Sequence, residues 1–280
     1  MTTAPSPAGM PVVRVLPDPD ALWRAAAEEI ARVLARALAD RGAAHWSTTG
    51  GSAAPGIYEV LRVPPLRDTV DWSRVQIWWG DDRFVPEDHP LSNVLPLTQI
   101  LLASGADEAV SGATSADVGG HGDGIVIPVA NLHPIPMTDG IAEGGAARSA
   151  ARYAAALRAD GPPVDDAGTP MFDLLLLGVG PDGHILSVFP GSAAWDASEL
   201  CLAIPAPTHV EPHVARVTLH PRIVAAARRI LVVSAGASKA AVLGRAWTGD
   251  DARELPVRAT RTATATWLLD QAAAAELPVR

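Results

Sequence analysis

The segment Phe172–Ser192, FDLLLLGVGPDGHILSVFPGS, constrains the fold of this 280-residue chain more than any other. Asp173 to Leu177 reads as a buried strand that runs straight into a turn carrying Gly178, Gly180 and Gly183, followed by His184. In an open α/β sheet, ligands bind just outside the carboxyl ends of the strands, and glycine lets a backbone approach a ligand closely there. Asp182 and His184 therefore stand where a proton-transfer group is useful. Taken alone, the same residues also fit a tight turn with a capping aspartate and a surface histidine.

The unit of strand, glycine turn and helix start recurs along the chain. Ala43–Thr48 leads into Thr49-Gly50-Gly51-Ser52 and a helix opening near Pro55, and Val75–Trp79 leads into Gly80-Asp81-Asp82-Arg83. Val12–Leu16 reads as a short strand. From Pro19 to Asp40 the period is helical, with Leu22, Ala26, Ile30, Val33, Leu34 and Leu38 on one stripe and Asp18 or Asp20 as the cap. A long helix is expected from Ile141 to Asp160. Further strands are expected near Leu200–Ile204, Val214–Leu219 and Ile230–Val233, with a helix opening around Ser238. The carboxyl-terminal TATATWLLDQAAAAEL reads as a final helix packing Trp267 and Leu268. Alternating strands and helices imply an α/β fold: a doubly wound, mostly parallel open sheet, Rossmann-like, with helices on both faces.

No interdomain linker or internal repeat is visible. Residues 1–10 read as a disordered leader, and residues 11–280 as a single α/β domain. Ser104 to Gly124 is rich in glycine and reads as a surface loop, where His121 and Asp123 are too few ligands for a metal site. The net charge of −9 argues against nucleic acid or an anionic membrane as partner. No apolar run approaches the roughly 18 residues of a membrane span, and the amino terminus lacks the pattern of a secretory signal. A cytoplasmic protein is expected. Cys201 is the single cysteine, which excludes an intrachain disulfide, and its setting in CLAI reads as a buried, inert thiol.

Four segments could converge at the strand ends. Gly50, Gly51 and Ser52 offer backbone N–H groups, a hydroxyl and a helix dipole suited to phosphate, although a plain helix-entry turn fits too. Asp81 and Asp82 stand beside Arg83. Arg216, in VARVTL, lies in a strand pattern, where a charge should face solvent or a ligand. Lys239, the only lysine against 21 arginines, follows Ser238 at a helix start, where a cation opposes the dipole unless an anion is present. No Walker motif, nucleophile elbow or dinucleotide fingerprint occurs. What remains is a phosphate-bearing small molecule processed by acid–base chemistry without a metal or cofactor.

The segments TTGGSAAPGIYEVL, WWGDDRFVPEDHPLSNV, NLHPIP, FDLLLLGVGPDGHILSVFPGS, RVTL and GASKAAVL occur in an order that resembles the 6-phosphogluconolactonases of the pentose phosphate pathway. That family is related in fold to glucosamine-6-phosphate deaminases. The resemblance spans about Gly50 to Leu243. It implies hydrolysis of 6-phospho-D-glucono-1,5-lactone to 6-phosphogluconate, with His184 as general base. Asp182 would orient the turn, and Arg83 or backbone N–H groups would receive the oxyanion. Gly50, Gly51, Ser52, Arg83, Arg216 and Lys239 would gather the phosphate and the sugar. The usual D-E-R appears here as Asp81-Asp82-Arg83. The deaminases are the near rival, but they read D-E-Y at that place and F-N-E-P after the histidine, where this chain has Phe189 in place of the acid. A non-catalytic sugar-phosphate sensor is the rival of another class. Such regulators usually carry a helix-turn-helix, whereas here a strand and one long helix precede the first glycine turn.

Overall fold

The computed structural model describes residues 9–102, 124–137 and 145–278. Its centre is the leucine run: β6, Leu174–Leu177, is buried at every position, as an uninterrupted apolar strand in a parallel sheet should be. Around it lie β1 (Val12–Leu16), β2 (Ala44–Thr48), β3 (Val75–Trp79), β5 (Leu132–His133), β9 (Ile230–Ser234) and β10 (Ala265–Asp270). These form one seven-stranded sheet in the order β1-β10-β9-β6-β2-β3-β5. Every neighbouring pair is parallel. From β2 the chain proceeds through β3 and β5 to one edge, and from β6 through β9 and β10 towards the other. The reversal between β2 and β6 is the topological switch point, where the connections leave in opposite directions and open a crevice at the carboxyl ends.

Helix α1 (Pro19–Arg41) starts where the Asp18 carboxylate accepts the Ala21 N–H at 2.8 Å and ends at Gly42, whose φ of 83° only glycine adopts readily. Its apolar stripe is buried, including Leu22, Ile30 and Leu34, and it packs on α2 (Ala53–Leu61) and the sheet. Helix α3 (Gly145–Asp160) is pinned to the end of β3 by Tyr153: the Trp79 N–H donates to its hydroxyl at 2.9 Å, and that hydroxyl donates to the Trp79 carbonyl at 2.9 Å. Trp46, Trp78, Trp79 and Trp267 are among the largest fully buried side chains. At roughly 25 cal/mol per Å² of apolar surface, such indoles dominate the burial energy of a core.

Three expectations are corrected. The carboxyl-terminal TATATWLLDQAAAAEL forms no helix: Ala265–Asp270 is strand β10, inserted between β1 and β9, and turns follow it. The β-branched and aromatic residues Thr266 and Trp267 favour a pleated surface, and pairing on both sides outweighs the helical preference of the alanines that follow. Trp267 and Leu268 are nonetheless fully buried. The strands expected near Leu200 and Val214 exist as β7 (Cys201–Ile204) and β8 (Arg216–Leu219), but they do not extend the parallel sheet. They pair antiparallel with each other and with β4 (Asp81–Arg83), making a second, three-stranded sheet in the order β4-β8-β7. Residues 205–215 between them contain no helix, so the chain has no crossover with which to keep its direction. Asp81-Asp82-Arg83, expected as a turn, is therefore itself a strand. The loop Ser104–Gly124 as far as Asp123, the start of the helix expected from Ile141, and most of the leader lie outside the described residues. Cys201 is buried, and burial pushes its thiol up to about 12.

Candidate active site

The switch point brings two glycine turns face to face. β2 runs into Thr49-Gly50-Gly51-Ser52 and then α2, and Gly51 has a φ of 78°. Tyr58 of α2 fixes this turn by sharing a hydrogen bond with Thr48 Oγ1 at 2.8 Å and donating to the Thr49 carbonyl at 3.3 Å. The Ser52 side chain makes no capping bond to α2. Opposite, β6 runs into Gly178-Val179-Gly180-Pro181-Asp182-Gly183-His184. This loop closes on itself: the Gly180 N–H donates to the His184 carbonyl at 2.9 Å and the Gly183 N–H to the Gly180 carbonyl at 3.0 Å. A Cβ on Gly180 would overlap the His184 imidazole, so the glycine is what lets that ring lie against the turn.

His184 and Asp182 are directly bonded. His184 Nδ1 lies 2.6 Å from Asp182 Oδ1, and the same oxygen accepts the His184 backbone N–H at 3.2 Å. An ionised carboxylate only accepts, so the proton of a neutral imidazole sits on Nδ1 and the lone pair on Nε2. Nε2 has no hydrogen-bond partner among the described residues. Burial alone would raise the Asp182 carboxyl, but the hydrogen bonds from His184 and its charge when protonated, with a hydrogen bond from His209, hold it well below the usual carboxylate range. The Phe189 ring packs on His184 with centroids 4.7 Å apart.

The cations face this pair from the second sheet and from the turn after β9. Arg83 of β4 and Arg216 of β8 are direct cross-strand partners, an unfavourable pairing of like charges. Arg216 is only 2% exposed, and its one side-chain hydrogen bond among the described residues is a long one, 3.3 Å to the Pro212 carbonyl. Its guanidinium carbon lies 5.4 Å from the Phe189 ring centroid. Arg83 donates to the Leu91 carbonyl at 2.8 Å. The Nε of each arginine is buried without a partner among the described residues. Among the described residues neither is ion-paired, and neither is Lys239. Burial pulls the pKa of Arg216 below its ordinary value, with Asp81 opposing; Lys239 is lowered likewise, with Asp182 opposing. Lys239 precedes helix α4 (Ala240–Ala246), and the turn before it is anchored by Asp270, which accepts the Gly236 N–H at 3.0 Å. Three cations around one crevice, none of them in an ion pair among the described residues, make a site that an anion would stabilise.

A cleft of about 190 Å³ is the result, and Gly50, Gly51, Ser52, Arg83, His184, Arg216 and Lys239 all line it. Asp182 stands behind His184, outside the lining. The two aspartates of β4 separate. Asp81 lines the cleft and accepts the Ser187 hydroxyl at 2.5 Å. Asp82 is fully buried and clamps the strand to the next loop, accepting the N–H groups of Arg83 and Asn93 at 2.7 Å each and the Ser92 hydroxyl at 3.0 Å. Burial pushes its carboxyl up to about 7, against those hydrogen bonds.

Several lining residues had no assigned role in the sequence. Asn93 donates to the Asp81 carbonyl at 2.9 Å while its Oδ1 is buried without a partner among the described residues. Its only signal was its place in the DHPLSNV segment. Val210 and Glu211 enter from the loop between β7 and β8, which carries no periodicity. Leu186 holds a φ of 55°, a left-handed conformation that costs a branched side chain roughly 1–2 kcal/mol. Its Cδ2 fills the space that a Cβ on Gly80 would need.

Comparison with known proteins places this geometry among relatives. The family described as glucosamine-6-phosphate isomerases/6-phosphogluconolactonase matches residues 17–268. A 6-phosphogluconolactonase of Streptomyces coelicolor is 33% identical over 262 residues, covering 93% of this chain and 92% of that protein. One from Mycobacterium tuberculosis is 31% identical over 268 residues, covering 95% and 98%. The solved structure of 6-phosphogluconolactonase from Trypanosoma cruzi superposes with a TM-score of 0.77 at 26% identity, covering 98% of this chain and 99% of that one.

Proposed function

The chain belongs to the glucosamine-6-phosphate isomerase/6-phosphogluconolactonase family, and from that premise we propose that its cleft hydrolyses 6-phospho-D-glucono-1,5-lactone with His184 as the general base. The observation that carries this reading is the bond between His184 Nδ1 and Asp182, which leaves Nε2 as the free basic nitrogen of a ring lining the cleft. The hydrolase activity itself follows the closely related 6-phosphogluconolactonases that span nearly the whole chain.

The reaction needs one water and two proton transfers. Nε2 of His184 takes a proton from water as its oxygen bonds to C1, and the carbonyl electrons move onto the exocyclic oxygen. Arg83, or the backbone N–H groups of the facing glycine turns, receive that oxyanion. When the C–O ring bond breaks, the imidazolium returns its proton to the departing ring oxygen, and the new carboxylic acid ionises to release one proton. A positioned base of this kind accelerates the step by about 10²–10⁴. The Gly50-Gly51-Ser52 turn, Arg216 and Lys239 hold the phosphate, so that binding energy from the far end of the sugar fixes C1 beside His184. A δ-lactone is reactive enough that a water and a base suffice.

Phe189 separates this chemistry from that of the deaminases, because a phenyl ring moves no proton. The purified protein should open the phosphorylated lactone and release no ammonia from glucosamine 6-phosphate. Ammonia release at a rate comparable with lactone opening would contradict the assignment. Phe189→Glu should not create a deaminase, since Arg83 also differs from the deaminase pattern.

We also place the enzyme in the cytoplasm and in the oxidative pentose phosphate pathway, acting on a free small molecule without a nucleic-acid or membrane partner. The net charge of −9 supports this, and no helix among the described residues is long and apolar enough to cross a membrane. Metal independence belongs to the same reading: no group of three His, Cys, Asp or Glu residues suited to a metal occurs among the described residues. Dialysis against a chelator should leave kcat unchanged. A loss restored by added divalent metal would overturn the activation of water by His184 alone.

A further inference from the structure

Asp182 is held from two sides. Its Oδ1 meets Nδ1 of His184 at 2.6 Å, and its Oδ2 meets Nε2 of His209 at 2.9 Å. His209 is 27 positions further along the chain, on the loop of residues 205–215 that joins β7 to β8. Its ring stands edge-on to Phe189 with centroids 5.6 Å apart, and Phe189 is the ring that also packs on His184. The two imidazoles, the carboxylate and the phenyl ring thus form one contiguous cluster, of which His184 lines the cleft. The same loop carries Val210 and Glu211 into the cleft wall.

Each contact has a direction. The Asp182 carboxylate accepts, so His209 donates its Nε2–H to Oδ2. Without that donor the outer oxygen would face only water, and the carboxylate could turn about its Cβ–Cγ bond. The bond from Oδ1 to His184 sets the plane of the catalytic ring, so any such turning moves Nε2. Displacements of this kind near the reacting atoms lower the rate without weakening substrate binding.

We propose that His209 is a positioning residue for the hydrolysis: it fastens the outer oxygen of Asp182, so that the inner oxygen keeps His184 in the Nδ1–H form with Nε2 directed into the cleft. The inference rests on the reading of His184 as the base. His209 touches neither water nor lactone in this scheme and acts only through Asp182.

Three His209 variants, an Asp182→Asn background and one spectrum test it. His209→Gln can place an amide N–H near the position of Nε2, whereas His209→Phe keeps the edge contact with Phe189 and donates nothing. With freshly generated lactone, His209→Ala and His209→Phe should lower kcat roughly tenfold, the scale of one hydrogen bond to a charged group, while KM stays within about twofold. His209→Gln should recover most of the loss. In an Asp182→Asn background, His209→Ala should have little further effect, because the link through which it acts is already gone. Wild-type kcat in His209→Ala overturns the proposal, as does a loss that phenylalanine repairs as well as glutamine, or one that glutamine does not repair. An imidazole ¹H–¹⁵N spectrum gives a readout independent of turnover. The His184 Nδ1 proton should be resolved downfield in the wild type and in His209→Gln, and broadened by exchange in His209→Ala. That pattern in a protein unable to open the lactone would remove the proposed function and leave the His209 link standing; an unchanged signal in His209→Ala would remove the link.

Discussion

Replacing His184 by alanine is expected to lower kcat for the phosphorylated lactone by roughly 10²–10⁴, with KM little changed, because the group that takes and returns the proton disappears while the phosphate contacts remain. The geometry makes the expectation specific. Gly180 leaves room for the imidazole, the Asp182 carboxylate fixes its tautomer, and Phe189 walls one side. His184→Gln retains hydrogen-bonding capacity but supplies no base, so it should be nearly as slow as alanine. Asp182→Asn should be impaired as well, since an amide can donate to Nδ1 and so favour the tautomer with its proton on Nε2. A His184 variant with near-normal kcat would remove this residue from the mechanism.

The second large effect concerns the phosphate handle. Lys239 is half-buried at the start of α4, unpaired among the described residues, and lines the same cleft as Arg216. A charge-assisted contact contributes on the order of 1.5–3 kcal/mol. Lys239→Ala should therefore lower kcat/KM for the phosphorylated lactone roughly ten- to a hundredfold. Unphosphorylated gluconolactone lacks the group being held, so its hydrolysis should be no slower than with the wild type. Lys239→Arg should recover only part of the loss, because a planar fork presents its donors differently from a compact ammonium. Equal losses on both lactones would mean that Lys239 supports the fold or the chemistry, and its phosphate role would have to be withdrawn.

The parts of the site legible in the sequence are those that the backbone itself must make. Leu174–Leu177 followed by GVGPDGH could be read because a strand buried on both faces and a turn crowded against an imidazole admit few residue types. Gly50 and Gly51 were legible for a similar reason. The less legible parts depend on pairing between distant segments. Arg83 and Arg216 could each be suspected from its own setting, but only the antiparallel match of β4 with β8 sets them opposite each other. The strand β10 was hidden because its alanine-rich continuation carries high helix propensity, while its real partners, β1 and β9, lie far away in sequence. His209 and Glu211 sit in a loop with no period, so only the folded chain brings them to Asp182 and the cleft. Leu186 was illegible in another way, since nothing local announces a leucine in the left-handed region.

The most direct measurement is proton release in a pH-stat from freshly generated 6-phospho-D-glucono-1,5-lactone, with spontaneous opening subtracted and the wild type run beside His184→Ala at equal concentration. Each lactone opened yields one carboxylate and one proton, so the wild type should release protons at a rate proportional to enzyme concentration, while His184→Ala should fall close to the spontaneous rate. Proton release that does not depend on the enzyme, or equal rates for the two proteins, would contradict a lactonase built around His184.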